Sequence, residues 1–397
     1  MRISSAQMFA NGVNNMLNQQ VKLLKTQDQL ATGQRIGSPA DDPVGAVRSL
    51  ELTRAKEKTE QFERNGHILD SRLRLEESTV SNSIDVLQRV RELSIQANNA
   101  TQSSESRQSI AFELRQQLDN LLSYANTKDS SGHFIFAGYQ EGSSPFSKTT
   151  GGYVYNGDDG QRQLQIGPAR SLPDGDPGSE VFMNILNGNG KFQTGANPAN
   201  TGGAVIGEGS VTDLSQFNRE SFTIRFTSPT QYDVLDSGGG VLSSAAYQDG
   251  GSITAGGMSV QIKGPAAAGD EFTLAPAQRQ DLFSMVEALA VSLETPRSSA
   301  SGRALQNGEI NTAISNIDRA LDHLINKQTS IGSRLQSLER QTDINAGASL
   351  QIQTSLSLVN DLDYAEAVSR FSQQQAALQA AQQAFSKVQG LSLFNYL

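Results

Sequence analysis

A heptad repeat between residues 310 and 338 constrains the fold of this chain more than any other feature. Apolar residues recur there at alternating steps of four and three, and Gln328 is the only polar residue at a repeat position. The apolar positions are Ile310, Ile314, Ile317, Leu321, Leu324, Ile331, Leu335 and Leu338. This spacing puts them on one stripe of an α-helix, and such a stripe must be buried against another long helix.

The partner helix is expected far away in sequence. From Arg297 onward the chain contains no proline and is predicted to continue as helix, so no separate helix lies nearby. The other proline-free stretch of similar length lies between Val44 and Ser144. We therefore expect the two ends of the chain to meet in a helical rod.

Both ends of the chain also carry a stripe that repeats every seven residues. Near the N-terminus an apolar pair recurs from Phe9 and Ala10 to Leu30 and Ala31. The residues predicted to form an assembly interface are Phe9, Met16, Leu23, Leu30, Tyr364, Phe371, Leu378 and Phe385. Burial of the large N-terminal side chains would contribute about 10 to 15 kcal/mol, whereas ordering their backbone costs at least about 25 kcal/mol. We expect these helices to be disordered unless a partner covers them.

The sequence also marks where helices begin and end. Two glycines and a proline interrupt the N-terminal pattern at residues 33–39, and a new helix starts with Asp41, Asp42 and Pro43. Asp42 suits the N-cap and Pro43 the first helical position. A metal or acid-base pair formed by the two carboxylates is the alternative.

A second boundary is predicted at Gly347, where the rod would give way to the C-terminal helix. Asp361 and Asp363 are then expected on that helix, where a spacing of two directs them to different sides and disfavours a shared metal.

Residues 146–280 differ in character from the rest of the chain. They hold 23 of the 36 glycines and 7 of the 11 prolines, and their apolar residues alternate. Alternation predicts strands at residues 222–226, 258–262 and 272–274. Residues 153–158 predict a strand with a tight turn, and residues 163–166 are a candidate for the returning strand. This segment is predicted to be a β domain inserted between the helical parts.

The predicted fold class is therefore α+β: a long antiparallel helical rod or coiled coil built from both chain ends, with an inserted, mostly-β outer domain. Residues 1–40 and 347–397 are expected to be terminal assembly helices, forming a coiled coil in a polymer and flexible in a monomer. Residues 41–145 and 278–346 are expected to form the rod, and residues 146–277 the glycine-rich β domain.

The residue types that carry catalysis are absent or do not occur at the spacings that catalysis requires. Cysteine is absent, so there is neither a disulfide framework nor a thiolate nucleophile. His67, His133 and His323 lack a second ligand at helical spacing, and neither a phosphate-binding glycine loop nor a nucleophile elbow occurs. The sequence predicts no enzyme activity, no metal site and no cofactor.

Charge and hydropathy indicate which partners to exclude. A net charge of −9 without clusters of Lys and Arg disfavours nucleic acid. No apolar run approaches the roughly 18 residues of a membrane span. The first 17 residues contain one Arg and no continuous apolar segment, which is unlike a cleavable signal peptide. We expect a protein that stays in the cytosol or leaves it with its N-terminus uncleaved.

Several short sequences resemble the bacterial flagellin family. The N-terminal signature is similar to residues 30–36, 41–45 and 89–98, and the C-terminal one to residues 362–367. Within the family, four features are closer to the hook-associated proteins of the hook-filament junction. These are the opening Met1-Arg2-Ile3-Ser4, the proline after the paired aspartates, residues 134–146, and the ending at residues 391–397.

The resemblance implies a structural subunit of the flagellum that joins the hook to the filament. Its implied partners are further copies of itself, the first hook-filament junction protein, flagellin, and a cytosolic export chaperone that binds the C-terminal helix. The implied location is the extracellular flagellum, after export of the unfolded chain from the cytoplasm. The two terminal helices would then pair as a coiled coil in the inner wall of the tube.

Four alternatives remain at this point. The chain could be the flagellin filament subunit, an intracellular helical signalling rod, or an enzyme carried on a filament scaffold. The terminal stripes could also form the core of a closed monomeric bundle, without any role in assembly.

Overall fold

The computed structural model describes residues 5–99 and 101–390, and six helices account for most of them. The opening Met1-Arg2-Ile3-Ser4 and the ending at residues 391–397, both used in the resemblance, lie outside the described residues. The helices are α1 (Ser5–Thr32), α2 (Pro43–Ala97), α3 (Ser104–Ala125), α4 (Leu282–Glu294), α5 (Ala300–Asn360) and α6 (Tyr364–Gly390).

The strands all lie between α3 and α4, together with one π-helical turn at Ser179–Met183. They are β1 (Phe146–Thr149), β2 (Gly152–Tyr155), β3 (Gln163–Gly167), β4 (Arg170–Pro173), β5 (Ile185–Leu186), β6 (Phe192–Ala196), β7 (Val205–Ile206), β8 (Ser210–Val211), β9 (Phe222–Ser228), β10 (Gln231–Leu235), β11 (Val241–Ala246), β12 (Ser252–Ala255), β13 (Met258–Lys263), β14 (Glu271–Pro276) and β15 (Arg279–Gln280). The predicted fold class, helices from both chain ends around an inserted mostly-β segment, is confirmed.

The chain divides into two compact units. Among the described residues, 5–64 and 340–390 form one, called here the terminal unit, and those between 65 and 339 form the other, called the body unit. The long helices α2 and α5 contribute residues to both.

The body unit is built on the contact between α2 and α5. Arg91 binds Asp318 at 2.6 Å and Asn98 binds Asn311 at 2.9 Å, so residue numbers fall along α5 as they rise along α2. The two helices are therefore antiparallel. Five of the eight heptad positions are almost fully buried, namely Ile310, Ile317, Leu324, Ile331 and Leu338. The other three, Ile314, Leu321 and Leu335, are partly buried against the same core.

Helices α3 and α4 complete this helical core. Leu114, Leu118 and Leu121 of α3 and Val286 and Leu289 of α4 are all buried in it. On the outside, Arg115 of α3 forms a bidentate pair with Glu294 of α4, at 2.5 and 2.7 Å. Apolar burial and this pair together fix α4 against α3.

The strands are shared between two cores, a division that the sequence did not indicate. Strands β1 to β5 and β15 lie with the helical core, where the rings of Phe146, Phe182 and Phe283 contact one another with centroids 5.3 to 5.9 Å apart. The remaining strands surround a separate apolar core that includes Phe226 and Phe272. Its main sheet has the antiparallel order β11-β10-β9-β14-β6, and β12, β13, β7 and β8 form a smaller one.

Five strands were predicted at their observed places, whereas the hairpin predicted between two of them, β2 and β3, was wrong. β9, β13 and β14 confirm the alternating segments. However, β2 pairs with β1 and β3 pairs with β4, so residues 153–155 and 163–166 are not partners. The intervening Asp158 does not close a tight turn, because its carboxylate accepts the backbone N–H groups of Tyr139 and Gly160.

The boundary predicted at Gly347 is also wrong, because α5 continues through it to Asn360. One glycine inside a helix costs only about 1 kcal/mol relative to alanine, which the flanking helical turns outweigh. The break falls instead at residues 361–363, so Asp361 and Asp363 lie between helices and not on one.

Buried charges fasten the strand-bearing segment to α2 and α5 within the body unit. Arg72 of α2 reaches Asp129 at 3.2 Å and Glu141 at 2.9 Å. Arg334 of α5 pairs with Asp176, whose backbone N–H donates to Glu76 of α2 at 3.0 Å. Glu76 is 2% exposed. Burial, and then the charge of Asp176, raise the pKa of Glu76 to about 8.

This raised pKa predicts how the stability of the body unit depends on pH. The folded chain holds the Glu76 proton up to about pH 8, whereas the unfolded chain releases it near pH 4.5. The wild-type free energy of unfolding should therefore fall as the pH rises between those values. In the Glu76→Gln variant the amide oxygen can still accept the Asp176 N–H, but the side chain no longer titrates. This fall should therefore disappear, and the free energy of unfolding at pH 9 should exceed that of wild type by an amount on the order of a few kcal/mol.

Urea denaturation at pH 5, 7 and 9 measures the effect. Glu57→Gln, which changes an exposed carboxylate on the same helix, is the matched control and should follow wild type. Parallel pH profiles for Glu76→Gln and wild type would contradict the assignment.

Candidate assembly surface

The terminal unit brings the first and last helices of the described chain together. The rings of Phe9 and Phe385 lie 5.1 Å apart, and at the other end of the pair Gly33 lies beside Tyr364. The start of α1 thus meets the end of α6, and the pair is antiparallel. At Gly12 the helices approach so closely that an added Cβ would lie 3.0 Å from the Phe385 ring.

The predicted interface residues share this contact, but none of them is fully buried. Phe9 and Tyr364, at the two ends of the pair, are 49% and 56% exposed. The other six predicted positions, Met16, Leu23, Leu30, Phe371, Leu378 and Phe385, are half-buried. The seam therefore covers its apolar residues only in part.

The structure adds a second set of positions that the seven-residue spacing did not give. Gly12, Gln19 and Thr26 of α1 lie between the predicted residues at alternating steps of four and three, and all are half-buried or buried. Ala367, Gln374 and Ala381 do the same on α6. The two helices thus have full coiled-coil spacing. Ala367 and Ala381 stand out in the sequence as apolar residues three positions after the stripe, and an extension through polar positions would have found Gly12, Gln19, Thr26 and Gln374.

Polar groups in the seam between α1 and α6 limit the stability of this helix pair. Thr26 is 3% exposed and its hydroxyl donates to the Lys22 carbonyl of its own helix, at 3.1 Å. The Gln374 side-chain oxygen is buried and has no hydrogen-bond partner in the described part of the chain. Polar residues at seam positions fix register at a cost in stability.

A second apolar stripe of α1 is more than half exposed among the residues that the structure describes. Leu17, Val21 and Leu24, at steps of four and three, are 53%, 64% and 55% exposed. They lie on one helix face, next to the face that meets α6. Contiguous exposed apolar residues of this kind mark an interaction surface.

The break between α5 and α6 forms a joint with the segment after α1, called here the elbow (residues 33–36 and 359–363). The Arg35 N–H donates to the Asn360 carbonyl at 2.7 Å, and the Leu362 N–H donates to the Gly33 carbonyl at 3.0 Å. Gly33 has a φ of +69°, which glycine adopts without strain. A short antiparallel bridge between Gln34 and Asp361 results.

The Arg35 side chain strengthens the elbow. Its guanidinium donates twice to the Val359 carbonyl, from Nε at 3.0 Å and from Nη2 at 2.7 Å. That carbonyl belongs to the last turn of α5, where orphan acceptors favour a positive charge. Asp363 then starts α6 by accepting the N–H groups of Ala365 and Glu366. Sequence reasoning missed Arg35, although its place two residues after a helix-ending glycine was a signal.

The helix-start residues Asp41, Asp42 and Pro43 lie beside the elbow. Pro43 is the first residue of α2, and Asp42 accepts the Gly45 N–H at 2.9 Å and lies 3.4 Å from Arg35. Asp41 binds the Lys25 ammonium at 2.6 Å and accepts the Ser38 N–H. These two contacts, the one with Lys25 first, lower the pKa of the Asp41 carboxyl. The short sequences around residues 30–36, 41–43 and 362–367 therefore meet in one place.

A cleft of about 510 Å³ lies between the elements of the elbow. Lys25 pairs there with Asp41 and Arg370 with Glu366, whereas Asp361 accepts the Ser357 hydroxyl and Asp363 accepts backbone N–H groups of α6. No group of three or more metal-binding side chains occurs in residues 5–99 and 101–390. Within the same residues, no helix is both long and apolar enough to cross a bilayer.

Comparisons with known proteins agree on one family. The model of the bacterial flagellin N-terminal helical region matches residues 3–141, and that of the C-terminal helical region matches residues 314–397. Flagellar hook-associated protein 3 of Salmonella typhimurium is 25% identical over 99% of both chains. The crystal structure of hook-associated protein 3 from Legionella pneumophila has a TM-score of 0.75 and 33% identity, and covers 78% of this chain and 98% of its own. FlgL of Xanthomonas campestris has a TM-score of 0.73 and 31% identity, over 77% and 99%.

The elbow gives a prediction for local stability. In the Arg35→Lys variant a single ammonium replaces the two parallel donors to Val359, so the bridge should open more easily by about 1 to 2 kcal/mol. The backbone amides of Arg35 and Leu362 should then exchange with deuterium about tenfold faster.

Hydrogen exchange with mass spectrometry measures this rate. Arg48→Lys is the matched control, because Arg48 makes only an exposed contact with Glu51 at 3.4 Å. Equal exchange in the elbow for both variants would show that Arg35 does not hold the joint.

Proposed function

Because this chain belongs to the flagellar hook-associated protein 3 family, we propose that it assembles at the tip of the hook as the junction between hook and flagellin filament. In this role it is a structural subunit, and it adapts one tubular polymer to the next without catalysing a reaction.

The uncovered stripe of α1 is the observation that supports assembly most strongly. Leu17, Val21 and Leu24 are each more than half exposed, although they lie on a helix whose neighbouring face is already in contact with α6. Burial of the exposed half of these three side chains would contribute about 2 to 5 kcal/mol. Packing of the α1 and α6 pair against the pairs of neighbouring copies supplies this burial, and a closed single chain does not.

The predicted interface residues belong to the same proposed assembly. We assign Phe9, Met16, Leu23, Leu30, Tyr364, Phe371, Leu378 and Phe385 to the contact within each pair. Their partial exposure leaves Phe9 and Tyr364 available at the ends of the pair for neighbouring copies. The division into assembly helices, a rod and a β domain belongs to the same proposal, with the C-terminal assembly helix beginning at Tyr364 and not at Gly347.

The partners and location follow from the same role. In the flagellum the subunit contacts further copies of itself, the first junction protein on the hook side and flagellin on the filament side. Before export it is held in the cytoplasm by a chaperone on the C-terminal helix, and afterwards it lies in the extracellular flagellum. A chain with no cysteine and only partly covered terminal helices suits export in an unfolded state.

The filament subunit itself is the second candidate. Flagellin B of Vibrio anguillarum is 23% identical over 90% of this chain, so a flagellin-like architecture is common to both. The junction role is favoured because hook-associated protein 3 relatives match over 99% of both chains. Electron microscopy of cells that lack the gene separates the two. Hooks without filaments and free flagellin in the medium support the junction, whereas absence of flagellin from the medium supports the filament subunit.

The exposed stripe gives a prediction for assembly. In the Leu24→Ser variant the loss of one apolar contact in every copy should abolish or strongly reduce filament growth, while the free protein keeps its unfolding temperature because Leu24 is 55% exposed.

Filaments per cell, counted by electron microscopy, are the measurement. Leu214→Ser is the matched control, since Leu214 is 74% exposed in a loop of the β segment and should leave filament number unchanged. Normal filaments in the Leu24→Ser strain would contradict the proposed surface.

A further inference from the structure

An arginine-lined pocket lies in the body unit where the loop between α2 and α3 meets the loop between α4 and α5. The cavity measures about 200 Å³ and has a polar rim that includes Gln102, Ser104 and Ser298. Three guanidinium groups line it, those of Arg107, Arg297 and Arg303. This place is remote in sequence from every residue assigned to assembly above.

Arg107 is the unusual member of the set. It is 7% exposed, and its side chain donates only to neutral acceptors, the Ala97 carbonyl at 3.1 Å and the Gln306 amide oxygen at 3.0 Å. No carboxylate lies within salt-bridge distance of it in the described part of the chain. Buried arginine is rarely left without a counter-charge, because desolvation of a lone guanidinium is costly.

The two other arginines also have unused capacity. Arg297 uses one nitrogen for Glu309 at 3.0 Å, but its buried Nη1 has no hydrogen-bond partner among the described residues. Arg303 is exposed and donates to the Ser298 carbonyl, which is neutral. The starts of α3 and α5, capped by Ser103 and Ser299, add positive partial charge at the same end. Three arginines and no carboxylate are among the residues that line the pocket, and Glu309, the partner of Arg297, is not one of them.

We propose that this pocket binds a carboxylate side chain of a second copy of the chain in the assembled junction. The inference rests on the proposed assembly. A cavity of 200 Å³ is several times the roughly 30 Å³ share of one water molecule, so it admits an Asp or Glu side chain but no folded segment. The chain carries 41 acidic against 32 basic residues, so each copy offers surplus carboxylates to its neighbour. Arginine binds carboxylate in a bidentate geometry that fixes orientation.

Zero-length carbodiimide coupling of isolated flagella tests the proposal. The coupling joins an amine to a carboxylate in contact with it, so the Arg303→Lys variant places a reactive group at the mouth of the pocket. Arg279→Lys, at another exposed arginine of the body unit, is the matched control. We expect a peptide that contains position 303, joined to an Asp or Glu peptide, in the assembled protein and not in the free protein. Position 279 should show none.

The result that overturns the proposal is equal coupling at positions 303 and 279 in flagella whose copies are coupled elsewhere. In that case the proposed function stands and the pocket's partner is wrong. Absence of any coupling between copies would contradict both.

A second measurement separates a free anion from the neighbouring carboxylate. If the pocket binds an anion, sulfate at constant ionic strength should raise the unfolding temperature of the free wild-type protein by about 2 to 4 °C. Arg303→Gln should lose this shift and Arg279→Gln should keep it. A shift without coupling at position 303 would identify a free-anion site and overturn the second copy as occupant. No shift in wild type would overturn the anion pocket itself.

Discussion

The antiparallel contact between α2 and α5 is the interaction on which the rest of the structure depends. It joins residues more than 200 positions apart, such as Arg91 and Asp318, so the chain between them forms one closed loop. Closing so long a loop costs conformational entropy, and the chain has no cysteine to hold it. The stabilisation has to come from burial along the heptad stripe, where five positions are nearly inaccessible and each contributes about 1.5 to 3 kcal/mol.

The α1 and α6 pair has the same coiled-coil spacing as the body unit, but its seam is only partly buried. In the body unit the seam is closed by α3, α4 and the first strands, whereas in the terminal unit Met16, Leu23 and Phe371 are only half-buried. Buried polar groups such as Thr26 weaken the pair further. A helix pair that is incompletely covered within one chain is suited to completion by its neighbours. The elbow sets where that pair starts, because its backbone bridge and Arg35 fix the chain between α5 and α6.

The sequence predicts those parts of the fold that depend on periodicity. The heptad stripe and the alternation in β9, β13 and β14 each follow from one side-chain repeat, and each is observed. The meeting of α2 with α5 was also predicted, but several other features that depend on contacts between distant residues were missed or wrong. Gly347 does not break α5, since helix propensity is weaker than the continuity of packing. The elbow, the pairing of β1 with β2 and the sharing of strands between two cores are set by tertiary contacts that no local repeat encodes.

Removal of the last 40 residues tests the central claim most directly, because it deletes α6 and the second half of the elbow while leaving residues 65–339 intact. Thermal unfolding of the shortened protein, followed by circular dichroism, and its incorporation into flagella are the two readouts. The account predicts that the body unit unfolds cooperatively near the wild-type temperature and that no junction or filament forms. Loss of the cooperative transition would contradict it, since the terminal helices would then be part of a closed monomeric core.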